Sequence, residues 1–229
     1  MSRLFMYGTS LEGIEKLMMA APNFSPRDSG IIIQNYFNCD GGVVNCNNCG
    51  SNARNRSYIS TCFYLKEKLN GNEIKYKDLV KDCFGRLKNN TLRIRLRLLS
   101  NNFKGEVFLN HSHKKRCYHL LQKQDMDIRD TSPSYISILF LLTADEVLWK
   151  LSEPTVRANG FDFSQIHLRQ ISTEGYALYQ TAKTISTGKE HIRISEIADE
   201  DLINDIAFKA IINASLIARY GADIFLITK

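Results

Sequence analysis

Between Asp40 and Asn52 the chain offers little from which a core can be built: Asp40, Gly41, Gly42, Asn45, Asn47, Asn48, Gly50, Ser51 and Asn52 are small, polar or turn-forming residues. Such a stretch takes one conformation only if something other than apolar burial orders it. The cysteines set around and through it supply the means. Cys39, Cys46, Cys49 and Cys62 follow the spacing Cys-x6-Cys-x2-Cys-x12-Cys, and four thiolates over so short a span can close a tetrahedral zinc site. We expect zinc here, with those four residues as its ligands.

The rest of the chain can fold by burial. Its 229 residues suffice for one sizeable core or two small domains, and 44% hydrophobic residues with 10% aromatics are those of an ordinary globular protein. The first residues, Met1-Ser-Arg-Leu-Phe-Met-Tyr-Gly8, carry no long apolar region of a secretory signal, and no apolar run approaches the roughly 20 residues that span a bilayer. The expected compartment is the cytoplasm, where thiols stay reduced. The six cysteines then read as metal ligands or core residues rather than disulfides.

The net charge of +6 conceals an asymmetry. Residues 54–123 hold 17 Lys and Arg against 5 Asp and Glu, a net of +12, whereas residues 1–53 come to −1 and residues 124–229 to −5. This divides the chain into a cysteine-containing, basic region, 1–124, and an acidic helical region, 125–229, either distinct or joined in one compact unit. A field of this kind favours a phosphate backbone or an acidic protein face and weakens with salt. Arg54, Arg56, Arg93, Arg95, Arg97, Lys114, Lys115 and Arg116 are the candidate contacts for nucleic acid or a partner. The plain alternative is a solvated surface that only keeps the protein dissolved.

Periodicity predicts a mainly α protein with a few short β-strands. Leu11, Ile14, Leu17 and Met18 repeat at helical spacing up to Pro22; Ile31-Ile-Ile with Tyr36-Phe37 suits a strand; Phe63, Leu65 and Leu69 suit a short helix. Tyr76, Leu79, Val80, Cys83, Phe84 and Leu87 mark the next helix. Residues 91–99 fit two templates. A strand would align Arg93, Arg95 and Arg97 on one face as a basic ladder, whereas a helix would turn Leu92, Leu96 and Leu99 to the core and spread the arginines over the surface. The neighbouring helices favour the second.

Further on, Tyr135, Ile138, Leu139 and Leu142 form one stripe, and Thr143-Ala-Asp-Glu146 reads as a capping box before Val147, Leu148 and Leu151, with Pro154 as the stop. A helix through Tyr176, Tyr179, Ala182 and Ile185 should end at Gly188, and a long one through Ile206, Ala210, Ile211, Ala214 and Ile217 at Gly221. Ile224-Phe-Leu-Ile-Thr228 suits a closing strand.

Chemistry-bearing constellations are few. His111, His113, Cys117 and His119 crowd together, yet helical spacing lets only part of the set converge on an ion; the simpler expectation is His111 or Ser112 as a helix cap, Cys117 and Leu120 in the core, and Lys114-Lys-Arg116 as an exposed basic knuckle. Asp125, Asp127 and Asp130 beside Arg129 imitate a nuclease magnesium site, but closely spaced acids before Pro133 are commonly turn and cap residues. Ile194 to Ile203 with the following helix has the cadence of a helix-turn-helix, although Asp199, Glu200 and Asp201 give it an anionic entry. No phosphate-cradling glycine loop, nucleophile elbow or zinc-protease helix is present in the sequence. These observations favour a binding protein over an enzyme and point to no small-molecule substrate.

Leu17-Met-Met-Ala-Ala-Pro-Asn-Phe24, Cys46-x2-Cys49 with Cys62, Leu141-Leu-Thr-Ala-Asp-Glu-Val-Leu-Trp149, Gly175-Tyr-Ala-Leu-Tyr-Gln-Thr-Ala-Lys183 and Ala198-Asp-Glu-Asp-Leu-Ile203 occur in that order over most of the chain. In this it resembles a group of uncharacterised accessory proteins of integrative and phage-related elements of low-G+C Gram-positive bacteria. Tyr58 stands where those proteins place a further cysteine, so Cys39 would complete the ligand set. The resemblance implies an accessory role, as a regulator of transfer or an inhibitor of host defence of the anti-CRISPR type that binds a nuclease complex, and implies no established activity. Two alternatives stay open: a zinc-stabilised DNA-binding regulator, and a metal-dependent nuclease using Asp125, Asp127 and a histidine between 111 and 119.

Overall fold

The computed structural model describes residues 74–227. They form helices α1 (Tyr76–Phe84), α2 (Asn90–Asn101), α3 (His111–Lys123), α4 (Pro133–Ala144), α5 (Glu146–Ser152), α6 (Thr173–Thr187), α7 (Ile194–Ala198) and α8 (Asp205–Tyr220). Two short strands, β1 (Val156–Arg157) and β2 (Gly160–Phe161), pair antiparallel between α5 and α6. The protein is mainly α with few short strands and a helical C-terminal half. The elements expected around residues 11–18, 31–37 and 63–69 lie outside the described residues, as do Cys39, Cys46, Cys49, Cys62, Arg54 and Arg56.

The fold is organised around α4, which is apolar on every side and therefore has to be enclosed. From Tyr135 to Thr143 each of its residues is buried. Pro133 opens it, with its ring preset for the first turn, and the Ser132 hydroxyl accepts from the Tyr135 amide. Helices α3, α5, α6 and α8 pack around it. The approach of α8 is close enough for the Ser137 hydroxyl to donate to the Ala214 carbonyl at 2.7 Å. On α8, Asn204 caps the first turn by accepting from the Ile206 and Ala207 amides, and Gly221, at φ 78°, ends the last.

The described basic segment does not stand apart from this core. One buried cluster runs from Tyr76 on α1 to Ile227 after α8. Asn213 of α8 accepts from the Tyr76 hydroxyl at 2.6 Å and donates to the Val107 carbonyl at 2.6 Å, which fixes α1 and the 103–110 loop to the acidic half. A buried amide with both ends engaged orients its neighbours as well as satisfying itself.

Several local expectations are corrected. Asn110 caps α3, its carboxamide accepting from the His113 amide, so neither His111 nor Ser112 has that role. Asp145 caps α5 by accepting from the Leu148 amide; Thr143 stays inside α4, where its hydroxyl reaches the Leu139 carbonyl. Residues Gly221–Leu226 form a 3-10 turn and not a strand. Among the described residues no neighbouring strand is at hand to pair with them, and Phe225 instead stacks on Phe108 with ring centroids 4.9 Å apart. Among the described residues no helix is long and apolar enough to cross a membrane.

Candidate anion-binding face

The basic surface arises from α1, α2 and the turn between them. Residues 74–104 contain nine Lys and Arg against two Asp. On α1 the buried side is Tyr76, Leu79, Val80, Cys83 and Phe84, which leaves Lys77 and Lys81 one turn apart on the outward side. Both are exposed, as are Arg86 and Lys88 in the turn and Arg93 and Arg97 on α2. None of these six has an acidic partner among the described residues. Asp82, the acid nearest to Lys81 in sequence, is already engaged by the Arg219 guanidinium at 2.9 Å and by the Tyr220 hydroxyl. Asp78 turns back to the helix start, where its carboxylate accepts from the Lys75 amide.

Arg95 departs from the expected set. Residues 91–99 are helical, so no ladder of three arginines forms, and the helix carries Arg95 to its inner side, where it is 4% exposed. Its guanidinium donates to the Ile203 carbonyl at 2.8 Å, the Ile197 carbonyl at 3.2 Å and the Asp205 carboxylate at 3.0 Å. It also lies 4.1 Å over the Phe208 ring. Its Nε is buried without a protein acceptor, a cost that the other contacts offset. Arg95 therefore clamps α2 to α7 and α8 and is not open to a phosphate.

The knuckle of α3 is similarly reduced. Arg116 is half-buried, and its Nε donates to the Thr143 carbonyl at 2.8 Å, capping the C-terminus of α4. Lys114 faces Glu106 at 3.9 Å and lies 5.7 Å from the Phe108 ring centroid. Lys115 alone of the three is exposed and without an acidic partner.

The other motifs resolve into structure. His113 is fully buried, with Nδ1 accepting from the Leu109 amide and Nε2 facing the Phe140 carbonyl at 2.9 Å, which makes Nε2 the protonated nitrogen. Burial holds its pKa down at about 3, so the ring is neutral, and neither nitrogen is left for a metal. Cys117 is buried beside it, its thiol pushed up to about 12 by loss of solvent. Asp127 accepts from the Arg129 amide as a turn residue. Among the described residues no group of three or more His, Cys, Asp or Glu is placed to hold a metal ion. The helix that a helix-turn-helix would use for reading DNA is α8, and it is buried from Ala210 to Ala218. Its fully exposed residues, Asp205 and Ile206, are confined to the first turn, with Lys209, Arg219 and Tyr220 half-buried, so it offers no continuous face to a groove.

Sequence reasoning overlooked Lys77, Lys81, Arg86 and Lys88. The signal was available: each falls opposite or just beyond the apolar stripe of Tyr76 to Leu87, whereas the eye goes to the denser Arg93-x-Arg-x-Arg97 and Lys114-Lys-Arg116 runs. The chain matches no family model, no curated protein and no solved structure.

Proposed function

We propose that this chain is a non-enzymatic accessory protein of a mobile element that binds an anionic, nucleic-acid-bearing target of its host and blocks it, in the manner of an anti-CRISPR-type inhibitor. The observation that carries the reading is the α1–α2 surface, where Lys77, Lys81, Arg86, Lys88, Arg93 and Arg97 are exposed and, among the described residues, form no ion pair with an acidic side chain. A local excess of cations on a helical scaffold raises the local concentration of a polyanion and orders its docking. Inhibition by occlusion needs such a surface and no catalytic group. For the segment outside the described residues, the proposal keeps Cys39, Cys46, Cys49 and Cys62 as zinc ligands. Elemental analysis should then find close to one zinc per chain, and metal-free native protein would refute that part.

The functional test is retention of a nucleoprotein from host lysate by the immobilised protein, compared with the Lys77→Glu, Lys81→Glu, Arg86→Glu variant. The wild type should hold a nucleoprotein that the variant loses, while binding naked duplex DNA weakly. Equal retention by both proteins would refute the proposal. Tight binding of naked duplex by the wild type would replace it with a DNA-binding regulator.

A further inference from the structure

Single apolar side chains on a surface are unremarkable, but contiguous ones mark interfaces. Of the five large apolar side chains exposed among the described residues, two, Ile94 (59% exposed) and Leu98 (56%), lie one turn apart on α2, and a third, Ile206 (66%), is on the first turn of α8, the helix that meets α2 at this corner. Arg95 joins these two helices there through the Ile203 carbonyl and the Asp205 carboxylate.

Helical geometry orders the outward side of α2. At about 100° per residue, Ile94 and Leu98 fall between the flank of Arg95 and the line of Arg93 and Arg97. The Arg95 flank is acidic. Its carbonyl partners, Ile197 and Ile203, bracket the turn that carries exposed Glu200 and Asp201, and the side chain of Asp205 is 94% exposed beside them. The corner is thus an apolar stripe with a cationic rim on one side and an anionic rim on the other.

We propose that this face is the two-fold interface between two copies of this chain. A two-fold axis in the contact plane and running along α2 leaves the helices parallel and exchanges left with right. Each cationic rim then meets the partner's acidic rim while Ile94 and Leu98 close the centre, a self-complementary arrangement of apolar core and polar rim. An axis across α2 would set arginine on arginine. A foreign helix of one charge sign would match one rim and be repelled by the other. The dimer takes Arg93 and Arg97 out of the anion-binding set and leaves Lys77, Lys81, Arg86 and Lys88 open to it.

Light scattering on the full chain at tens of micromolar should give twice the chain mass. Leu98→Glu should weaken association at least about ten-fold with an unchanged unfolding midpoint. The Arg93→Glu, Arg97→Glu variant and the Glu200→Lys, Asp201→Lys variant should each be monomeric alone and form a dimer when mixed, because the mixed pair restores attraction at both rims. A monomeric wild type, a dimer indifferent to Leu98→Glu, or charge variants that fail to associate on mixing would each overturn the proposal.

Discussion

At the scale of single residues, burial separates arginines that look equivalent in the chain. Arg95 and Arg93 are two positions apart, yet only Arg95 has acceptors that would be stranded without it. Asp205 is 94% exposed, so its ion pair adds little, and the buried Ile197 and Ile203 carbonyls account for most of what Arg95 contributes. Arg95→Leu should therefore cost about 2–4 kcal/mol in urea unfolding, whereas Asp205→Asn and Arg93→Ala should each cost less than about 1 kcal/mol. His113 makes a second residue-level prediction. Its folded pKa of about 3 lies below the ordinary 6.5, so the unfolded chain takes up the proton first as pH falls. Its share of stability is complete above about pH 6.5 and is lost downward to about pH 3, with a slope of up to roughly 1.4 kcal/mol per pH unit. Thermal unfolding between pH 7 and 4 should show that slope reduced in His113→Gln, together with lower stability at neutral pH.

Among the elements, α6 shows how a helix can require a residue that its propensity disfavours. Gly175 lies in its first turn, and a Cβ there would stand 2.7 Å from Cγ1 of Ile171, a buried atom near the root of that side chain. Gly→Ala in a helix gains up to about 1 kcal/mol from propensity alone. A displaced, close-packed Ile171 costs about 1–3 kcal/mol, so the clash prevails. Gly175→Ala should lower the unfolding midpoint, and pairing it with Ile171→Ala should leave a smaller loss than the two changes summed, since the second removes the obstacle. Had α6 kept its distance from residue 171, the same substitution would stabilise.

For the molecule as a whole, the charge asymmetry should appear as a dependence of binding on salt. Each phosphate contact removed lowers the slope of log K against log salt by roughly 0.7–0.9, so reversing Lys77, Lys81 and Arg86 together should lower it by about 2. Reversal of Lys150 and Lys189, exposed on the acidic half, should leave the slope unchanged. A comparable response to both sets would mean that only net charge is sensed and that the α1–α2 face has no special part.

What the sequence determined by itself is what local rules control. Apolar spacing located α1, α4, α6 and α8; Gly188 and Gly221 marked two helix ends because only glycine takes positive φ freely; and the basic and acidic halves could be counted. Residues 91–99 were ambiguous because alternating Leu and Arg satisfy a strand pattern and a helix pattern at once, and packing against α1 and α7, with Arg95 reaching Asp205 and Phe208 of α8, selected the helix. That selection also decided which cations are available. Arg95 and Arg116 were absorbed by carbonyls that lie more than 25 residues away, at the ends of α7 and α4, while Lys77, Lys81 and Arg86 were left outside. Spacing along a chain says which way a side chain points from its own helix; only the tertiary structure says whether an acceptor, a ring or water is waiting there.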